Sequence, residues 1–298
     1  MNNNYTRRQF IQNSFGAGMA LTGINNLSDF FESKKSTMRF GLVTYQWGKD
    51  WNLDTLIDNC EKNGFFGVEL RTQHAHKVEI NLNKAERREV KKKFANSKVT
   101  CIGYGSNFEY HSPDAKIVRQ NIEQTKEYIL LCKDIGASGI KVKPNYLPPE
   151  IEKEKTIAQI AASLNECGKF AADYGQLVRL EVHGNISKEI PNIKAIFEQV
   201  TEPNVKICWN SNETDLLPPG LESNFNSIKK WFGDTVHVRE LDDKVYPFQQ
   251  LISLFYANNY KGWILLEGSN MPKDIIASMK EQMVLFNSML INSALLLK

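Results

Sequence analysis

From Met38 onward the chain alternates two patterns of apolar and polar positions. Short runs with β-branched or apolar residues at every second position, ending on polar residues or glycine, predict strands. They are RFGLVTY, FGVELRT, KVTCIGYG, SGIKVKP, LVRLEVHG, NVKICWN, TVHVREL and GWILLEG, starting at residues 39, 66, 98, 138, 177, 204, 235 and 262. Between them lie stretches with apolar residues at helical spacing, such as NLDTLIDNCEKNG, DAKIVRQNIEQTKEYILLCKDIGA and EKTIAQIAASLNECGKFAADYG. Gly64, Gly136 and Gly175 fall where a helix C-terminal cap is expected. Strict strand–helix alternation predicts a parallel sheet with right-handed crossovers. Eight such units over about 260 residues predict an α/β fold, a single closed (β/α)8 TIM barrel. A doubly wound open sheet is the alternative. It would carry a glycine-rich phosphate loop after its first strand, where TYQWGKDWN stands instead.

Composition changes the picture mainly at the N-terminus. Of 298 residues, 42% are hydrophobic, enough for one large core. No apolar run approaches the roughly 20 residues of a membrane-crossing helix. The segment YTRRQFIQNSFGAGMALTG places Arg7, Arg8 and Phe10 before a short, mildly apolar stretch, which resembles a twin-arginine export signal. The expected division is therefore residues 1–36 as export signal and linker and residues 37–298 as barrel, with a periplasmic destination. An ordinary amphipathic tail, and a cytoplasmic protein, is the alternative. No cysteine follows the segment, which argues against a lipid anchor. With Arg7, Arg8, Lys34 and Lys35 gone, against Asp29 and Glu32, the remaining body is nearer neutral than the formal +3 of the whole chain. Such a surface argues against nucleic acid as the main partner. ERREVKKK mixes signs at helical spacing and reads as a solvated helix face. Cys60, Cys101, Cys132, Cys167 and Cys208 sit singly in apolar patterns, as packing residues rather than a disulfide framework.

The chemistry concentrates at strand ends. In a barrel of this kind, active groups sit where the strands finish. The five histidines all fall there: His74 and His76 after strand two, His111 after strand three, His183 at the end of strand five and His237 in the last turn of strand seven. Glu181 lies two residues before His183, and Glu267 ends the apolar run of strand eight. Asn210 ends strand six. Glu181, Asn210, His237 and Glu267 thus end four successive strands. Two carboxylates, an amide and an imidazole suit a divalent cation such as Mn, Co, Mg or Zn. Arg71, Lys141, Lys143 and Arg239 end strands two, four and seven and could bind hydroxyls or an anionic group, or pair with neighbouring carboxylates.

LEVHG, ICWNSN, VHVREL and LLEG carry a resemblance to the xylose-isomerase-like barrel superfamily of sugar isomerases and epimerases, over residues 38–298. The resemblance implies a metal held by Glu, Asp, His and Glu of strands five to eight, roles that fall on Glu181, Asn210, His237 and Glu267. It also implies that the two glutamates form an acid/base pair. Asn210 departs from the pattern, since a neutral amide binds a cation more weakly than a carboxylate, which puts occupancy of the site in doubt. Glu213, Asp215 or His183 could substitute as ligand, or Asn210 could hold a sugar hydroxyl. ELRTQHAH and FEYHSPD resemble substrate-loop segments of the same group, which adds His74, His76 and His111, with Lys141, His183 and Arg239, as substrate-binding candidates.

The expected function is proton transfer next to a carbonyl on a sugar or keto-sugar, assisted by a divalent metal, in a carbohydrate isomerase or epimerase. A keto-glycoside lyase, hydrolase or dehydratase acting at the same site is the alternative. A non-catalytic sugar-binding relative is another. An apurinic-site endonuclease would need a basic surface that this chain lacks. The expected partner is a small carbohydrate, with no membrane anchor, and a homo-oligomer is compatible with the sequence.

Overall fold

The computed structural model describes residues 38–296 of the protein. Eight strands form where the apolar alternation predicts them: β1 (Arg39–Val43), β2 (Gly67–Arg71), β3 (Thr100–Glu109), β4 (Gly139–Lys143), β5 (Leu177–Glu181), β6 (Val205–Asn210), β7 (Phe232–Val238) and β8 (Trp263–Leu266). They pair in parallel around a closed barrel in chain order, and β1 meets β8 through Arg39↔Trp263 to Leu42↔Leu266. The helices between and after them are α1 (Leu53–Lys62), α2 (Lys84–Ala95), α3 (Ala115–Ile135), α4 (Lys153–Ala172), α5 (Ile190–Phe197), α6 (Leu221–Ile228), α7 (Phe248–Ala257) and α8 (Ile275–Leu296). The open-sheet alternative is thereby excluded. The expected export signal lies outside the described residues.

Local chemistry sets the helix limits. Asn52 accepts from the Thr55 amide at 2.9 Å at the start of α1, and Asn83 and Glu86 close a reciprocal capping box on α2. Gly136 ends α3 at φ +83°, a left-handed turn that a side chain would strain. Only Val90 and Phe94 of α2 are buried, so ERREVKKK is indeed a charged outer face. The cysteines are all buried and unbridged.

Alternation then splits every strand between two environments. In β5, Val178 and Leu180 join the large apolar cluster that includes Cys60 of α1, Ile129 of α3 and Leu164 of α4. Arg179 and Glu181 point the other way, into the barrel. That interior is unusually charged. Arg179 is fully buried and reaches Asp234 of β7 at 2.7 Å. Two glycines of β3 make room: a Cβ on Gly103 would lie 2.7 Å from Arg179 Nη1, and one on Gly105 would lie 2.7 Å from Glu69 Oε1. The sheet at this point cannot carry side chains and charges together.

Candidate active site

The inward residues nearest the strand ends form one connected cluster. Glu181 ends β5 with its side chain almost sealed from solvent. Its Oε2 takes a hydrogen bond from Lys141 of β4 at 2.7 Å, and its Oε1 takes one from Asn210 Nδ2 of β6 at 2.9 Å. The same Oε1 lies 3.1 Å from Nδ1 of His237 on β7. Asn210 and His237 are direct cross-strand partners, and Glu181 is opposite Cys208. Glu267, immediately after β8, places Oε2 3.7 Å from His237 Nδ1 and receives Arg71 Nη1 on Oε1 at 2.7 Å. Arg71 ends β2 and donates its other nitrogen to Asn107 at 3.0 Å.

Glu69, inward on β2, completes the cluster. It is fully buried, and His237 Nε2 lies 3.2 Å from its Oε1. His237 therefore stands between carboxylates on both ring nitrogens. Burial opposes a charge on the ring, but Cys208, Glu69 and Glu181 outweigh it and hold the imidazolium well above the usual histidine range. Burial would likewise raise the Glu181 carboxyl, yet Lys141 first, and His237 after it, hold it well below the usual range. For Glu69, burial is again outweighed, by His237, Lys141 and Arg179, and the carboxyl is lowered. Glu69 lies two residues before the end of β2, so strand-end position does not mark it. The signal for it was available: a carboxylate two positions before Arg71 in GVELR shares its face and has no apolar reason to be there.

The remaining candidates divide. His183 lies beyond β5 and bonds Asn145 through Nδ1 at 3.0 Å, beside a two-residue ribbon that pairs Asn145–Tyr146 with Gly184–Asn185. Burial keeps it neutral below the usual histidine range. His111 sits edge-on to Tyr146 in the same region, ring centroids 5.9 Å apart. Lys143 ends β4 half-buried, and burial followed by the Lys141 charge brings its ammonium down to about 8. His74 is pushed down to about 4 by burial, His76 and Arg71. His76 has both nitrogens engaged by backbone, Nε2 with Arg71 O at 2.8 Å and Nδ1 with the Val78 amide at 3.0 Å, so it holds the β2–α2 loop in place. Arg239 turns away to Glu213 at 3.3 Å. Glu213 is thereby engaged outside the cluster, and Asp215 is buried against the Tyr246 hydroxyl at 2.7 Å. Neither substitutes for a carboxylate at 210. A surface cleft lined by Leu177, Lys206, Gly233 and Tyr260 lies among residues at the starts of the strands, away from these groups.

One ligand atom from each of Glu181, His237 and Glu267 lies within 4.8 Å of the others, close enough for three ligands of one cation. The donor chemistry around them does not fit a divalent ion as arranged. Asn210 turns its NH₂ group, not its oxygen, to Glu181. Lys141 and Arg71 already hold one oxygen of each glutamate.

A model of the xylose isomerase-like TIM barrel family matches residues 57–214. No curated protein matches the chain significantly in sequence. Among solved structures, 3-keto-D-glucoside 4-epimerase from E. coli superposes with a TM-score of 0.69 at 16% identity, covering 84% of this chain and 99% of its own. L-Ribulose 3-epimerase gives 0.74 at 16% identity, over 86% and 95% of the two chains. The probable 3-DHS dehydratase of Bacillus anthracis gives 0.67 at 14%, over 84% and 99%. At such identities the likeness is one of fold. The family match runs from α1 through β6, more than half of the sequence, inside a barrel of the same build, and the chain belongs to the xylose isomerase-like TIM barrel family.

Proposed function

We propose that the protein is a carbohydrate isomerase or epimerase that moves a proton at a carbon next to a carbonyl of a sugar or keto-sugar. One observation carries this reading. The carboxylates of Glu181 and Glu267, from β5 and β8, both border His237 Nδ1, at 3.1 and 3.7 Å, and each is flanked by a cation. Proton removal needs a carboxylate beside the carbon, and return needs that carboxyl once it has gained the proton, with a second acceptor to hold the substrate; two carboxylates about one small volume meet both needs. The similar structures, two sugar epimerases and a probable dehydratase, support the substrate class.

Glu267 is the more open of the pair, with 15% of its side chain exposed against 1% for Glu181, and it is the base. It takes the proton, and the C–H electron pair forms a carbon–carbon double bond while the carbonyl pair moves onto oxygen. The protonated Glu267 then returns the proton to carbon, while Glu181, its oxygens held by Lys141 and Asn210, borders the same volume from the β5 side and positions the substrate. His183, His111 and Lys143 stand around the mouth as hydroxyl partners. If the neighbouring carbon bears a leaving group, the same first step ends in elimination.

A screen of the purified protein with 3-keto-glycosides, ketohexoses and inososes, read by product NMR, tests the proposal. An epimer or isomer supports it, and an unsaturated product moves the assignment to a lyase. No turnover of any of these sugars, with the protein folded, would contradict it.

A further inference from the structure

Three carboxylates, Glu69, Glu181 and Glu267, meet in a volume nearly closed to water. Ionised at such spacing they repel one another unless cations stand between them. Here the cations are side chains. Lys141 has no exposed surface and ends 2.7 Å from Glu181 Oε2, with Ser106 O as a second acceptor at 3.3 Å. Arg71 ends 2.7 Å from Glu267 Oε1, braced by Asn107 at 3.0 Å and lying 5.0 Å from the Tyr45 ring centroid. His237 bridges Glu69 and Glu181 at 3.2 and 3.1 Å. Two of the three carboxylates thus each carry a lysine or arginine at 2.7 Å, and the His237 ring stands between Glu69 and Glu181. On β6, between the strands that carry Glu181 and His237, the chain places an amide that donates to Glu181 instead of a further negative charge.

We propose that Lys141 and Arg71 are resident cations standing in this chain where a divalent metal would otherwise stand. Lys141 neutralises Glu181, as a positioning residue, and Arg71 presents its guanidinium to the substrate's carbonyl oxygen. The part given to Arg71 rests on the carbonyl chemistry proposed above; the part given to Lys141 does not. Arg71 is the one that meets the open end, with 10% of its side chain exposed, whereas Lys141 has none. A guanidinium has five N–H donors, and its bonds to Glu267 and Asn107 leave others for an incoming oxygen. In the step, Glu267 gains the proton lost by carbon, and the carbonyl oxygen gains the electron pair beside Arg71. Return of a proton to carbon reverses both changes, so nothing is oxidised or reduced. Lys141 already neutralises the carboxylate that a dication would need, so the ammonium and the dication compete for Glu181.

Calorimetric titration of manganese chloride into the chelator-treated full chain tests the competition. The parent should show no saturable binding, and its turnover of keto-sugar should be the same with and without chelator. The double variant Lys141→Met/Asn210→Asp, which removes the competing ammonium and supplies a carboxylate, should bind one manganese at least tenfold more tightly. Should that variant fail to fold, the parent titration decides alone. Saturable binding of one manganese by the parent, or a folded double variant that gains no binding, would overturn the assignment of Lys141. Free guanidinium should restore turnover to Arg71→Ala, and no rescue would remove Arg71 from the proposal. A parent that binds no manganese and turns over no sugar would sink the reaction and Arg71's part in it, while leaving Lys141 as assigned.

Discussion

Glu181 and Glu267 stand in equivalent places, one the last residue of β5 and the other directly after β8, yet their surroundings separate their duties. Glu181 has both oxygens engaged by Lys141, Asn210 and His237, whereas Glu267 is the more exposed and its Oε2 stands 3.7 Å from His237 Nδ1. Glu267→Gln keeps the hydrogen bond from Arg71 but removes the base. Its turnover should fall by ~10²–10⁴ with the thermal transition little changed, the usual range for general acid–base catalysis. Steady-state kinetics beside a melting curve checks this. Lys141→Met strands an ionised Glu181 in the interior and should cost about 3–5 kcal/mol in denaturant unfolding. Asp215 titrates in another direction. Burial lifts its carboxyl to about 7, against partial relief from Tyr246 and the Asn212 amide. A raised carboxyl means that the folded state binds its proton more tightly than the unfolded one. Stability from this group is therefore full below about pH 4 and is lost as pH rises toward 7, by at most about 4 kcal/mol. Asp215→Asn should flatten that part of the profile, which unfolding measured at pH 4.5 and pH 8 for both proteins reveals; an unchanged difference between the two pH values would contradict it.

Among the elements, β3 shows how the site is built and how far it can be read in advance. Gly103 and Gly105 alternate on the inner face and leave space for Arg179 and Glu69. Gly105→Ala brings a methyl group within 2.7 Å of Glu69 Oε1 and should destabilise the protein by roughly 1–3 kcal/mol, as overpacking does. Denaturant titration measures it. Strands and helices were legible because each repeats its own period of apolar positions, and caps such as Asn52, Asn83 and Gly136 are chemically distinct. The convergence of Glu181, Asn210, His237 and Glu267 was legible because strand order fixes which ends are neighbours. Direction within the ends was not. His76 and Arg239 lie at the same mouth as His183, but one satisfies backbone and the other a carboxylate outside the cluster. Those partners are set by loop geometry, which has no period. Glu69 went unseen because it lies one layer below the strand end, where only alternation, and not position, marks it.

At the scale of the whole molecule, closure of β1 on β8 brings Glu267 and Arg71, 196 residues apart, within 2.7 Å. No helix among the described residues is long and apolar enough to cross a membrane. The proposed export signal calls for its own check. Replacing Arg7 and Arg8 together with lysine should leave the protein in the cytoplasm, and unchanged periplasmic recovery would remove that reading. The account as a whole stands on proton transfer at carbon, and hydrogen exchange reads that step without knowledge of the product. A 3-keto-glycoside incubated in deuterium oxide with the parent protein should lose the proton signal next to its carbonyl at a rate well above the enzyme-free control. With Glu267→Gln the loss should fall back toward that control. Equal loss with parent and variant, or none above control with any of the keto-sugars, would contradict the account.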